Sequence, residues 1–166
     1  MILICYDGSP DAKAAIEQGA ELLKGQPATV LTVWQPFVQV ITRAYAGFGW
    51  AAGFDLEQEA IDKAAREHAE ELAQEGADVA RAAGFDATPS TRSQDTTTAE
   101  AILSEGDAIE ASAILMGSRG LGRVKSMLLG SVSHGVIQHA ERTVIVAPSP
   151  EVVATRRNER AARTGA

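Results

Sequence analysis

Four short runs that are apolar at nearly every position constrain this chain more than anything else. They are Ile2-Leu3-Ile4-Cys5-Tyr6, Ala28 to Trp34, Ala113-Ile114-Leu115-Met116 and Thr143-Val144-Ile145-Val146-Ala147. A strand with one face in water alternates apolar and polar residues. A continuous short run is buried on both faces, as in a parallel sheet covered by helices. A weaker run from Phe85 to Arg92 contains Pro89, which cannot donate to a ladder and so predicts an edge strand. Helical patterns fill the intervals. Ser9-Pro10 reads as an N-cap with proline at the first helical position, ahead of a helix that stops near Gly25. A long helix runs from about Asp55 to Ala83, with Ile61, Ala65, His68, Leu72, Ala73, Val79 and Ala80 as its expected inner face. One of Thr96 to Thr98 caps a further helix carrying Ala101, Ile102 and Leu103, and Ser131 to Ala140 makes a short last one. Strands alternating with helices imply right-handed βαβ units and an open, doubly wound α/β sheet.

The chain has 166 residues, one domain's worth, and aromatics supply only 5% of them. Its core must therefore come from Ala, Val, Ile and Leu. The formal net charge of -7 argues against nucleic acid or an anionic membrane as partner, since both carry phosphate charge. It leaves room for a small phosphate ligand held in a local pocket of backbone donors. A single cysteine, Cys5, permits no internal disulfide and fits a reducing compartment. With no secretory signal pattern and no apolar stretch long enough to span a bilayer, the expectation is a cytoplasmic protein. A single folded domain is expected over residues 1–149. Gln35 to Phe54, rich in glycine and aromatics and without a period, reads as a flexible flap. From residue 150 the apolar pattern stops, and residues 150–166, with Arg156, Arg157 and Arg160, read as a disordered polar tail.

The chemistry concentrates between Met116 and Ser133. Gly117, Gly120 and Gly130-Ser131 are spaced as Gly, two residues, Gly, nine residues, Gly-Ser. Gly117 lies at the carboxyl end of a predicted strand, where open α/β sheets bind ligands. Gly130-Ser131 opens a helix, whose free N–H groups and positive dipole end favour a phosphate. Ser131 and Ser133 add hydroxyls, while Arg119, Arg123 and Lys125 bring positive charge to an acidic protein. No Walker loop occurs, and Asp7-Gly8-Ser9-Pro10 after the first strand is not a dinucleotide fingerprint. His134 and His139 have no partners at metal-ligand spacing, so no metal site is expected from them. His68 is read as a core residue, Cys5 as a small buried one.

With the opening strand ending in Asp7-Gly8-Ser9 and the fourth in Met116-Gly117-Ser118-Arg119-Gly120, this glycine spacing resembles the universal stress protein family over about residues 2 to 148. The resemblance implies an adenine nucleotide alpha hydrolase-like fold: five parallel strands in the order 3-2-1-4-5, with helices on both faces. It also implies binding of ATP, with magnesium bridging the phosphates, or of a related adenine nucleotide. Carried over by position, Tyr6 and Asp7 would meet the adenosine, with Asp7 reaching the ribose or a metal-bridged phosphate. Val33 would contact adenine, and Met116 and Gly117 the ribose. Arg119 and Gly120 would contact the phosphates, and Gly130, Ser131, Val132 and Ser133 would cradle them. A homodimer through the last strand, Thr143 to Ala147, is implied too; an apolar edge strand needs covering. Two features depart from the family pattern: Ala111-Ser112-Ala113 replaces an acidic residue before the fourth strand, and Arg142-Thr143 replaces Cys-Pro before the last.

Three functions fit these residues. One is a stress-response regulatory module that signals through nucleotide-dependent conformation and dimer or partner contacts. Another is a slow ATPase or autophosphorylating protein, with Ser131 or Ser133 as acceptor; no catalytic base stands out for it. The third is a dimer that works by protein contact without nucleotide.

Overall fold

The structure, a computed structural model, describes residues 1–44, 55–121, 129–148 and 150–164. Its elements run β1 (Ile2–Cys5), α1 (Pro10–Leu23), β2 (Pro27–Trp34), α2 (Phe37–Ala44), α3 (Asp55–Ala83), β3 (Asp86–Ser93), α4 (Thr98–Ala108), β4 (Ala113–Gly117), α5 (Ser131–His139), β5 (Thr143–Ala147) and α6 (Pro150–Thr164). The strands form one parallel sheet in the order β3-β2-β1-β4-β5. The chain therefore starts in the centre of the sheet, winds outward through β2 and β3, and returns to lay down β4 and β5 on the other side of β1. The direction of winding reverses between β1 and β4. The connections that leave the carboxyl ends of those two strands run to helices on opposite faces, α1 and α5, and a crevice opens between them.

Alternation along β1 builds two core layers. Ile2, Ile4 and Tyr6 join Ile16 of α1 and Ala77 and Ala80 of α3 on one face. Leu3 and the half-buried Cys5 face the other way, with Ile102 of α4 and Val136 of α5. Helix α1 starts as its sequence dictates, the Ser9 hydroxyl accepting from the Ala12 amide at 3.1 Å ahead of Pro10. Gly25 and Gly84 end their helices with φ of +81° and +102°, a region that glycine enters at no steric cost. Pro89 lies on the edge strand β3, opposite Val30.

Three expectations need correction. The inner face of α3 is a stripe of small residues, Ala69, Ala73, Gly76, Ala77 and Ala80, and His68 lies outside it. The His68 side chain is 71% exposed and faces Glu71, and Ile61 is exposed as well. The reason is close approach. A Cβ on Gly76 would lie 2.7 Å from the Tyr6 ring, so the large side chain comes from the sheet and the helix supplies the space. The second correction is to the flap: its first part is the helix α2. The Phe37 amide, an orphan donor at the start of that helix, is satisfied by Asp62 Oδ1 of α3 at 2.6 Å. Residues 45–54 of the expected flap lie outside the described residues. Third, residues 150–164 form the helix α6. Its Ala and Arg content favours a helix, and Val152, 5% exposed, anchors it.

Candidate functional site

The crevice at the carboxyl ends of β1 and β4 is a cavity of 220 Å³. The eleven residues that the family resemblance assigned to a nucleotide line it: Tyr6, Asp7, Val33, Met116, Gly117, Arg119, Gly120, Gly130, Ser131, Val132 and Ser133. Leu31, Ile102 and Thr98 complete the wall toward β2 and α4, and sequence reasoning did not pick them out. The sequence marks Thr98 only as a possible helix cap. The signal that could have found it is its place at the amino end of the helix entering β4, beside the same sheet edge.

At one end lies the glycine loop. Its three glycines have different physical reasons. A Cβ on Gly117 would lie 2.8 Å from the main-chain carbon of Asp11, so glycine is needed there for the start of α1 to cross β4. A Cβ on Gly120 would collide with the Asp7 carboxylate. That carboxylate also accepts from the Ser9 amide at 3.0 Å and the Leu121 amide at 3.2 Å, so it ties the end of β1 to the loop. Gly130 is different. Its φ of -71° and ψ of 160° suit any residue, and a Cβ would stand no closer than 3.4 Å to its nearest described neighbour, ordinary contact.

Gly130 is the N-cap of α5 and offers no side chain to the amides of the first turn. Those amides, on Ser131, Val132 and Ser133, belong to residues that line the cavity and carry the positive end of the helix dipole. The buried Ser133 hydroxyl donates to the Ser118 carbonyl at 2.9 Å, and the Gly130 amide donates to the same oxygen at 2.8 Å. Both bonds pin the helix start to the end of β4. The Ser133 hydroxyl is thus engaged within the protein, whereas Ser131 is exposed. Arg119 lines the cavity but its Nε stands 3.9 Å from Asp11 Oδ2, with both side chains largely buried. That ion pair holds the guanidinium over the first turn of α1. Arg123 and Lys125 lie outside the described residues.

Tyr6 lines the cavity at the end of β1. Its carbonyl accepts from the Thr32 hydroxyl at 3.0 Å. Its ring lies on the α3 face, where the phenol donates to Glu75 at 2.7 Å. Glu75 also pairs with Lys13 at 2.8 Å. The Lys13 contact first, and the phenol second, hold the Glu75 carboxyl below its ordinary range, while burial and that same carboxylate push the Tyr6 phenol up. Cys5 lines the cavity too, and burial, with the nearby Asp7 charge, pushes its thiol up to about 12. It is a protonated wall atom, not a nucleophile. Among the described residues no cluster of three His, Cys, Asp or Glu side chains could hold a metal ion by itself, and no helix is long and apolar enough to cross a membrane.

Comparison with known proteins gives a consistent result. The model of the universal stress protein family matches residues 1–148. No curated protein matches significantly. Among solved structures, the universal stress protein UspA from Lactobacillus plantarum is 19% identical with a TM-score of 0.66, over 87% of this chain and 94% of that one. A universal stress protein from Archaeoglobus fulgidus in complex with dAMP is 21% identical, TM-score 0.54, over 87% and 94% of the two chains. A universal stress protein in complex with cAMP is 20% identical, TM-score 0.54, over 89% and 95%.

Proposed function

The chain belongs to the universal stress protein family, and on that premise we propose that it is an adenine-nucleotide-binding regulatory module that takes ATP with magnesium in the crevice between β1 and β4. One observation carries the proposal: the first turn of α5 turns uncapped amides to the cavity behind a glycine that no neighbouring protein atom requires. A phosphate supplies what both features lack, a negatively charged acceptor for the amides and a group that needs the space of a missing Cβ. The dAMP and cAMP complexes of two relatives support an adenine nucleotide as the class of ligand.

The residues fit this ligand. Amides of Ser131, Val132 and Ser133 would hold the phosphates, with Arg119 and the Gly120 backbone beside them. Met116 and Gly117 would underlie the ribose. Val33, with Leu31 and Ile102, makes an apolar slot for the base. Asp7 faces the same cavity, and a carboxylate beside phosphates is repelled unless a cation bridges them. Magnesium, which binds through substrate phosphates and only one or two carboxylates, would remove that repulsion.

Signalling would then pass through protein contacts. Strand β5 is an edge of the sheet, and pairing with β5 of a second copy would cover it. Such a module works in the cytoplasm, where ATP is abundant.

The test is to purify the protein without added nucleotide, denature it, filter it and identify released small molecules by mass spectrometry. Near-stoichiometric ATP is the expected result. Released ADP or AMP would favour hydrolysis at this site. An empty protein that also fails to bind Mg-ATP in titration would refute the proposal and favour a role by protein contact alone.

A further inference from the structure

Gln94, at the end of β3, is 1% exposed and is the largest fully buried polar side chain among the described residues. Its Nε2 donates to the Thr96 carbonyl at 3.1 Å. A carbonyl only accepts, so this bond fixes which way the amide faces. The opposite atom, Oε1, accepts from Gln35 Nε2 at 3.0 Å and from the Thr98 hydroxyl at 2.7 Å. An amide oxygen cannot donate, so the Thr98 proton is committed to Gln94. The hydroxyl keeps its lone pairs and has no proton left to offer.

Thr98 lines the cavity. The Gln94 amide donates to the Trp34 carbonyl at 2.8 Å, which sets Thr98 beside the carboxyl end of β2. That is two strand spacings, about 10 Å, from β4, where the glycine loop begins. The neighbouring wall, Leu31, Val33 and Ile102, is apolar. Asp7, Arg119 and the serines belong to the β1 and β4 side. A hydroxyl that can only accept repels phosphate oxygens, and it equally repels a carbonyl on a base. It attracts an amino group.

We propose that Thr98, held by Gln94 as a pure acceptor, is the residue that selects a 6-amino purine over a 6-oxo purine in this cavity. The inference rests on the nucleotide-binding reading and adds the means of base selection to it. Gln94 acts as a positioning residue through Thr98, and Gln35 completes its hydrogen bonds from the β2 side.

The test titrates the full chain with Mg-ATP and Mg-ITP, which differ at the 6-position by an amino group against an oxo group and at N1 by an acceptor against an N–H donor; a hydroxyl set at the 6-substituent favours ATP, whereas wild-type protein that favours ITP would set it at N1 and overturn the proposal. Wild-type protein is expected to favour ATP by about tenfold, the effect of one hydrogen bond gained against one repulsion. Thr98→Val keeps the shape, removes the hydroxyl, and should bring the two affinities within threefold by weakening ATP. Thr98→Ser, which restores the hydroxyl, should keep the wild-type preference. Equal weakening of both ligands by Thr98→Val would assign Thr98 to the sugar and overturn the proposal. Loss of preference in Thr98→Ser but not in Thr98→Val would assign the effect to the methyl group and overturn it as well. Wild-type protein that binds both ligands equally refutes the selection alone, whereas protein that binds neither refutes the nucleotide reading beneath it.

Discussion

Replacing Gly130 separates what the fold needs from what the ligand needs. At φ -71° and ψ 160° an alanine or valine is unstrained, and the Cβ meets Arg119 Cα at 3.4 Å, Ser133 Oγ at 3.5 Å and the Ser118 carbonyl at 3.6 Å. None of these is a clash. Losing glycine at an N-cap costs up to about 1 kcal/mol, and the stiffer unfolded chain returns about 0.4–1 kcal/mol. Gly130→Ala and Gly130→Val should therefore shift the melting temperature by no more than about 4 °C. Binding should respond very differently. A Cβ in the cradle displaces the phosphate from the α5 amides, and loss of two charge-assisted hydrogen bonds at about 1.5–3 kcal/mol each weakens Mg-ATP by at least about 100-fold. Gly117→Ala is the contrast. Its Cβ would stand 2.8 Å and 2.9 Å from the Asp11 main-chain carbon and oxygen, and overpacking against backbone costs about 1–3 kcal/mol. Thermal melts and calorimetric titration on the three variants read both effects. A folded Gly130→Val protein with ATP affinity within threefold of wild type refutes the phosphate assignment. A Gly130→Ala protein that melts more than about 10 °C lower refutes the steric reasoning.

Three further outcomes follow from other parts of the molecule. Glu75 has a lowered carboxyl pKa in the folded state, so its contribution is present above the ordinary value of 4.5 and is lost as pH falls through the folded value. Urea midpoints of wild type and Glu75→Gln should differ by a constant amount above pH 5 and converge below 4.5; because Glu75 and Lys13 are about half exposed, the difference is under about 1 kcal/mol, and a gap that widens in acid would contradict the assignment. With its thiol pushed up to about 12, Cys5 should react with iodoacetamide at pH 8 on the order of a thousandfold more slowly in native protein than in urea; equal rates would place the thiol outside the cavity wall. Sedimentation equilibrium should give about twice the chain mass of 17.4 kDa, and a monomer at micromolar concentration would refute pairing through β5.

The sheet was legible because its signals are local. Continuous apolar runs, Ser9-Pro10 and Gly25 each carry their reason within a few residues, and Pro89 alone marked β3 as an edge. The strand order required the family resemblance, since no local signal says which way a chain turns after its first strand. The glycine spacing led to residues that line the crevice for a similar reason: a strand end, a loop and a helix start are adjacent in sequence. What stayed hidden was long-range. The face of α3 depends on Tyr6, seventy positions from Gly76 in sequence, and a helical wheel cannot show that the sheet supplies the bulk. The start of α2 depends on Asp62 of another helix. Thr98 and Gln94 belong to no motif, and their role appears only when β3 ends beside β2.

The three glycines of the loop read alike in the sequence, yet their surroundings divide them. Gly117 is explained by the Asp11 backbone, which a chain that never met a ligand would have to accommodate just the same, and Gly120 by the Asp7 carboxylate, the end of a side chain that can move. Gly130 is explained by no protein atom described. A glycine spacing is therefore not evidence for a ligand in proportion to its number of glycines; the weight falls on the one whose missing Cβ would meet no described protein atom closer than ordinary contact. By that criterion the proposed phosphate site is the first turn of α5, with Gly117 and Gly120 as the supports that bring β4 and the loop into position around it.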